Sequence, residues 1–456
     1  MLLNKDKSIL KLIPKHPIPR YTSYPTAPNF HSKIDQNIYK KWLKNTNSKE
    51  KISLYIHIPF CNSLCYFCGC HACVVNKYGP IKNYVDYLLI EIELIASKLK
   101  FKSKVSHIHF GGGSPSILKP NELISIMNLI KKKFKIIKNC EIAMEIDPRF
   151  FPKGDLTKVL KNLGFTRMSI GVQDFSLKVQ KNINRKQSFK QTKELIDHLR
   201  LNDITVINID LIYGLPFQTI KSFITTLNKI NSLKPDRISI FGYAHVPWMK
   251  KHQKLIKGKI LNNEERLQLY RLASDYFLNK NYIAIGIDHY AKQNSLIVKK
   301  LKNKKLQRNF QGYTEDEAKT LIGVGSSSIS SLSEGYVQNI TYIPDYIESL
   351  KKNKLPILRG CKFKNKDKMY GTIIKELMCY LSVDLNEIIH EFNKENEPNI
   401  FFRELFKVKP FIDKGFVNIK NDILLIKPEA RPLVRTICSS FDQYFKVNKN
   451  KYSLGI

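Results

Sequence analysis

The stretch Tyr55-Ile56-His57-Ile58-Pro59-Phe60-Cys61-Asn62-Ser63-Leu64-Cys65-Tyr66-Phe67-Cys68-Gly69-Cys70 decides how the rest of the chain is read. A short apolar strand runs into cysteines spaced C-x3-C-x2-C, at Cys61, Cys65 and Cys68. Closely spaced thiolates are how chains hold iron–sulfur clusters. Three of them leave one iron of a [4Fe–4S] cube without a protein ligand, able to hold a small molecule and react with it. The competing reading is a closed zinc site completed by Cys70 or Cys73. Zinc sites use four ligands, often as paired C-x2-C units, and no distant second pair is present here.

Working outward, strand and helix signals alternate from residue 51. Strands are expected at 54–58, 105–110, 141–146, 167–172, 206–211 and 237–241, with helices near 82–99, 120–135, 155–163, 188–200 and 218–231. Such βα repetition gives a parallel sheet with helical crossovers, and six units suit an open, partial (β/α)6 barrel. A strand at 282–286 and the region near Asp288 would extend it. Chemistry-bearing residues gather where these strands end: the cysteine loop, Gly111-Gly112-Gly113, Glu145 and Asp147, Gln173, Asp210, then Ala244 and His245. Parallel barrels build their active sites at that rim.

Residues 1–50 read as an arm. Pro14, Pro17, Pro19, Pro25 and Pro28 break it, and a polar helix is expected near 34–46. Residues 51–360 form the catalytic domain, with 290–360 read as irregular around a Gly/Ser stretch. Residues 361–456 form a mainly helical tail, with helices near 365–381, 385–394 and 431–446. A hairpin at 416–426, turning at Asn421-Asp422, makes the tail winged-helix-like.

The 456 residues carry 76 Lys and Arg against 39 Asp and Glu, a formal charge of +37. Lys is scattered through nearly every segment beside abundant Asn and Ile, as drift toward AT-rich codons produces. The charge is therefore not read as a nucleic-acid footprint. Five of the nine cysteines lie between Cys61 and Cys73, which does not resemble a disulfide framework and implies a reducing compartment. No signal peptide and no apolar run of membrane-spanning length is found, so a cytoplasmic protein is expected.

The cysteine motif with Phe67 in its second gap resembles the radical S-adenosylmethionine superfamily. Segments 20–26, 55–70, 109–115, 145–148, 171–175, 208–216, 310–313 and 437–442 resemble the oxygen-independent coproporphyrinogen III oxidase family more closely. The phrase Arg20-Tyr21-Thr22-Ser23-Tyr24-Pro25-Thr26 and the Cys68-Gly69-Cys70 ending are specific to it. A related group of haem chaperones, the alternative reading, generally lacks both features.

The resemblance implies one [4Fe–4S] cluster held by Cys61, Cys65 and Cys68, with S-adenosylmethionine chelating the open iron. Tyr55, Phe67, Gly112, Gly113, Ser114, Arg185, Asp210 and Ala244 would position that molecule. Glu145 and Gln173 would lie between it and a second S-adenosylmethionine, flanked by Phe310, Gln311 and Ile329. Cys70, Tyr55 and Glu145 would serve catalysis. Cleavage of S-adenosylmethionine to a 5′-deoxyadenosyl radical would drive decarboxylation of coproporphyrinogen III to protoporphyrinogen IX, turning the ring A and B propionates into vinyl groups. Implied partners are a one-electron donor such as flavodoxin or ferredoxin and an electron acceptor, with no nucleic acid and no membrane; a monomer is expected. Arg20, Arg149 and rim lysines are candidates for the substrate carboxylates. Three departures stand out: Gly242 where Asn is common, Pro432 where Leu is usual in the final helix, and the extra Cys73, read as a bystander.

Overall fold

A computed structural model describes residues 4–151, 155–397 and 399–447. The extreme ends of the arm and tail, 1–3 and 448–456, lie outside the described residues. Six parallel strands form the centre: β1 (Lys51–Ile58), β2 (Lys104–Gly112), β3 (Lys135–Ile146), β4 (Arg167–Gln173), β5 (Val206–Tyr213) and β6 (Arg237–Gly242). Each next pair is joined by a helix, as a parallel crossover requires. Serine, threonine and asparagine caps with a polar partner three residues on set several helix starts, at Ser188–Gln191, Thr219–Ser222 and Asn262–Glu265.

The strands alternate, apart from irregularities at Val105–His107 in β2 and Gly171–Gln173 in β4, and the alternation explains the hollow centre. Ile52, Leu54, Ile56, Ile108, Phe110, Ile142, Met144, Met168, Ile170, Ile207, Ile209, Ile238 and Ile240 are buried apolar residues that form the core with the surrounding helices. The intervening positions carry His109, Glu145, Ser169, Gln173, Asn208, Asp210 and Ser239, which line an interior cavity. A parallel sheet packed on both faces would be apolar throughout; here the inner face is polar where it lines the cavity.

The segment 290–360, expected to be irregular, is part of the sheet. After β7 (Tyr282–Ile285) and β8 (His289–Lys292), it contributes β9 (Thr320–Val324), β10 (Ile329–Leu332), β11 (Gly335–Asn339) and β12 (Ile357–Lys362), plus helix Ile343–Lys351. Strand order is β12-β11-β10-β9-β1-β2-β3-β4-β5-β6-β8-β7, with β9 parallel to β1 and the outermost strands antiparallel. These strands are short and rich in Gly and Ser, so their periodicity is weak. Tertiary contacts hold them: buried Glu91 in helix Gly79–Lys98 accepts from Gly325 N at 2.7 Å, Asn339 Nδ2 at 2.5 Å and Tyr346 Oη at 2.6 Å.

In the tail, helix Asp367–Tyr380 leads through β13 (Ser382–Asp384) and helix Leu385–Glu391 to helix Phe402–Asp413, which the sequence reading missed. β14 (Val417–Lys420) and β15 (Ile423–Ile426) then form a hairpin beside β13. Asn421 and Asp422 both take positive φ, 51° and 58°, as a two-residue hairpin turn demands. The last helix is shorter than expected, Val434–Ser440. Pro428 and Pro432 lie in a preceding 3-10 turn, Pro428–Leu433, so Pro432 stands before the helix rather than within it. The arm runs between barrel and tail: Arg435 donates to the carbonyls of Ile18 and Pro19, and Tyr21 Oη donates to Asp442 at 3.1 Å. Among the described residues, no helix is long and apolar enough to cross a membrane.

Candidate active site

The cysteine loop leaves β1 and caps one cavity of about 340 Å³ at the C-terminal ends of the central strands. Cys61, Cys65, Cys68, Cys70 and Cys73 all line it with free thiols. Its wall also includes Phe67, Gly112, Gly113, Glu145, Gln173, Arg185, Asp210 and Gln311. Sequence positions up to 250 residues apart thus converge as the rim pattern implies.

The loop is fixed from below and from the side. Tyr66 N donates to Ile183 O at 2.9 Å and Asn184 Nδ2 to Leu64 O at 2.8 Å. Three side chains that the sequence reading passed over grip its carbonyls: Gln253 Nε2 donates to Phe67 O at 3.1 Å, Lys250 Nζ to Cys70 O at 2.7 Å, and His252 Nε2 lies 2.8 Å from Cys68 O. Gln253 is almost fully buried, and its own segment is a 3-10 turn with no motif to mark it.

The glycine run fits against the loop's root. A Cβ on Gly113 would stand 2.5 Å from the Phe60 carbonyl oxygen, and one on Gly112, whose φ is +120°, would stand 2.7 Å from the His57 ring. Gly113 N donates to Ile58 O and Ser114 N to Phe60 O. Gly112 N reaches instead toward the cavity, donating to Glu145 Oε2 at 3.2 Å.

Glu145 leaves 41 % of its side chain open to the cavity while its oxygens meet Gly112 N and His109 Nε2, the latter at 3.2 Å. Burial pushes its pKa up, but His109 and the Gly112 amide outweigh burial and hold it below the usual value, so it stands ready as a carboxylate. Asp210 moves the other way: burial raises it, against hydrogen bonds from Ser169 at 2.9 Å and Asn208 at 2.8 Å.

Arg149 and Arg185 converge on Cys65. Their guanidiniums donate to its sulfur at 3.1 and 3.4 Å, and both pair with Asp147, at 2.7 and 3.1 Å. Arg149 is thus engaged by both Asp147 and Cys65. Arg185 Nη2 also donates to Gly171 O at 2.6 Å.

The floor of the cavity is closed by ion pairs. Arg167 Nε meets Glu141 at 2.8 Å, Arg237 pairs with Glu315, and His107 Nδ1 lies 2.9 Å from Asp316. Burial works against Glu141, yet Arg167 and Arg237 hold its pKa down at about 2.

Five of the site residues named from the sequence stand outside this wall. Tyr55 Oη is 3.0 Å from His57 Nδ1 and its ring stacks on His109. Ser114 Oγ bonds Ser116 Oγ at 3.1 Å, and the Ala244 carbonyl accepts from Gln253 at 3.0 Å. Phe310 packs edge-on against Tyr336, and Ile329 begins β10, where its backbone crowds Gly323.

Asp174 is wholly interior, accepting from Gln218, Thr226 and Ser176, so it is a structural carboxylate. Among the described residues, no three His, Cys, Asp or Glu side chains are gathered as for a single metal ion.

These features fit the cluster chemistry that the cysteine spacing implies: three unpaired thiols on one loop, cationic donors at one sulfur, and a bare glycine backbone beside them. The family model described as the radical SAM superfamily matches residues 55–230, and the chain is a member of that superfamily. Over nearly its full length it is 38 % identical to the oxygen-independent coproporphyrinogen III oxidase of Bradyrhizobium diazoefficiens, across 96 % of this chain and 97 % of that protein. It is 35 % identical to the Helicobacter pylori protein of the same name, covering 96 % of each. The solved coproporphyrinogen III oxidase of Escherichia coli, described as a radical SAM enzyme, superposes with a TM-score of 0.89 at 33 % identity, over 93 % of this chain and 98 % of that one. Within the superfamily, the chain belongs to the oxygen-independent coproporphyrinogen III oxidases.

Proposed function

We propose that this protein converts coproporphyrinogen III to protoporphyrinogen IX without oxygen, decarboxylating the ring A and B propionates to vinyl groups. The observation that carries this reading is the single cavity lined at once by Cys61, Cys65, Cys68, Gly112, Gly113, Glu145, Gln173, Asp210 and Gln311. Cys61, Cys65 and Cys68 would hold the [4Fe–4S] cluster. When bound, the cluster supplies the electron that cleaves S-adenosylmethionine and starts hydrogen abstraction from substrate; the protein's part is to bind, orient and shield.

Glu145, held ionised by His109 and the Gly112 amide, is an acceptor for ribose hydroxyls, and Asp210 on the neighbouring wall is a second. Gln173 and Gln311 supply amides that can donate or accept, on the side where a second S-adenosylmethionine would lie beside the first. Tyr55, Phe67, Ser114, Ala244, Phe310 and Ile329 support these positions from behind or beside. Arg149 and Arg185 place positive charge on the Cys65 sulfur, which favours taking up an electron. Cys70 and Cys73 reach the same cavity; Cys70 would serve catalysis and Cys73 would be a bystander.

The described residues of the arm (within 1–50) and of the tail (within 361–456) cover those of the catalytic domain (within 51–360) and exclude water from reactive intermediates. The tail's order of helices and hairpin is winged-helix-like, and we read it as a packing module. An external electron donor and acceptor complete the cycle, and a monomer in the cytoplasm suffices because the tail folds back on its own barrel.

Anaerobic reconstitution tests this reading. Purified protein should take up iron and sulfide. With S-adenosylmethionine and a reductant it should then release carbon dioxide and form protoporphyrinogen IX from coproporphyrinogen III. Stable haem binding with no turnover would favour a chaperone instead.

A further inference from the structure

A second depression backs onto the cysteine loop from outside. It holds about 330 Å³, and Pro59, His71, Lys250, Tyr342, Ile343 and Pro344 are among its lining residues. Cys70, Ala72 and Cys73 line both this groove and the interior cavity. The end of the cysteine loop, one chain thick, is thus a partition between the two. Cys70, His71, Cys73, Tyr342 and Pro344 are exposed, so the groove opens to solvent.

The partition is anchored at several points. Phe60–Cys61 and Cys73–Val74 pair as short parallel strands. Lys250 Nζ donates to Cys70 O at 2.7 Å, and His57 Nε2 lies 3.0 Å from His71 O. Another wall of the groove is apolar: Tyr342, 64 % exposed, Ile343 and Pro344 lead into helix Ile343–Lys351.

The charge carried by the surrounding chain has one sign. No Asp or Glu occurs from Lys51 to Val85, which includes the whole cysteine loop, or from Arg237 to Asn263. The second stretch carries Lys250, Lys251, Lys254 and Lys257. The last three are exposed, and among the described residues none of them has an ion-pair partner. Lys251 and Lys254 belong to the 3-10 turn Lys251–Leu255, whose His252 and Gln253 grip the cysteine loop, so they sit beside it. The one carboxylate adjacent in sequence to a lining residue is Asp345, beside Pro344.

We propose that this groove and its lysines dock an acidic one-electron carrier protein of the flavodoxin or ferredoxin class. The docking surface rests on the cluster reading above, which requires an external donor. A docked, reduced carrier gives one electron across the partition to the oxidised [4Fe–4S] cluster. The carrier is oxidised by one electron, the cluster gains it, and no bond forms or breaks. Electron tunnelling falls steeply with distance, and a partner in this groove stands one chain thickness from the cavity that the cluster cysteines line. Transient electron-transfer interfaces are small, under about 1,200 Å², and opposite charge on the two faces speeds their encounter.

Two variants outside the catalytic machinery test it: Tyr342→Ala, and Lys251→Glu combined with Lys254→Glu. Anaerobic calorimetry of the cluster-loaded protein with reduced flavodoxin and with reduced ferredoxin reads binding. Electron paramagnetic resonance of the reduced cluster reads the transfer, with dithionite as a small reductant that needs no docking. We expect each variant to bind the carrier about tenfold more weakly, with a matching fall in carrier-driven reduction. Dithionite-driven reduction should stay unchanged. Raising the salt toward about 1 M, where screening acts within about 3 Å, should weaken carrier binding to the wild type more than to the lysine variant.

Unchanged carrier binding in either variant would overturn the proposal, as would a wild type that binds neither carrier. An equal loss of carrier-driven and dithionite-driven reduction would also overturn it, because the substitutions would then have disturbed the loop itself. A DNA duplex that binds as tightly as the carriers would do the same, since charge alone would then be read. Carrier binding that both variants weaken, in a protein that reduces its cluster but makes no vinyl product, would overturn the reaction and leave the docking surface standing.

Discussion

Substituting Gly113 by alanine should damage the cluster loop without touching a cysteine. The added Cβ would stand 2.5 Å from Phe60 O and 2.9 Å from Phe60 N and C, where ordinary contact begins at 3.4 Å. About 0.9 Å must therefore be found. No flexible side chain lies in the way; the obstacle is backbone. Phe60 is the residue before Cys61, and Cys73 N and Val75 N bond the backbone on either side of it, at Pro59 O and Cys61 O. Relief can come only by moving the root of the loop that presents the first thiol.

Overpacking of this kind costs about 1–3 kcal/mol, and a misplacement near 1 Å can cost about a hundredfold in rate. We expect a lowered melting temperature, less iron retained after anaerobic gel filtration, and at least a tenfold fall in S-adenosylmethionine cleavage. Gly79→Ala is the control, because nothing lies within 4 Å of its added Cβ. A Gly113→Ala protein that keeps wild-type melting, iron and cleavage would refute the idea that the glycine run buttresses the loop.

Arg149→Met removes a donor 3.1 Å from the Cys65 sulfur. A charge-assisted hydrogen bond worth about 1–2 kcal/mol corresponds to a fall on the order of 50 mV for a one-electron couple, readable by potentiometric titration; an unchanged potential would contradict that role. Cys70→Ser should retain the full iron content while losing vinyl product, and loss of iron would instead place Cys70 in the ligand set.

Glu91 gives a pH prediction. Burial raises its pKa from 4.5 to about 7, against the hydrogen bonds of Tyr346, Gly325 and Asn339. The folded state thus holds its proton more tightly than the unfolded chain between those values. Stability from this group is fullest below pH 4.5 and declines as pH rises through 7, by about 3 kcal/mol in all. Denaturant melts across that window should show the decline, and it should flatten in Glu91→Gln. A slope unaffected by the substitution would show that other groups set it.

The central strands and the rim were legible because their signals are local and dense. Each βα unit has a periodic apolar run, and the cysteine spacing is a motif in a few residues. The inner lining was half legible. Alternation in Ile142-Ala143-Met144-Glu145-Ile146 puts Glu145 opposite the core face, but only closure of the sheet says that His109, two positions short of Gly111, will meet it. The strands from β9 to β12 were missed because each is four to six residues long and the group is anchored by Glu91, more than 230 positions away. The same limit hid Gln253 and His252: each acts through a backbone carbonyl brought near by the fold, and a carbonyl leaves no trace in sequence. Arg149 shows the converse. Its side chain was visible as a charge at the rim, but its partners Asp147 and Cys65 decide what it does.

The most direct measurement is Mössbauer spectroscopy of protein reconstituted with iron-57, recorded with and without S-adenosylmethionine. We expect one iron of the cluster to differ from the other irons and to change its isomer shift when the sulfonium compound is added. Four indistinguishable irons, unmoved by S-adenosylmethionine, would contradict an iron corner left open by Cys61, Cys65 and Cys68.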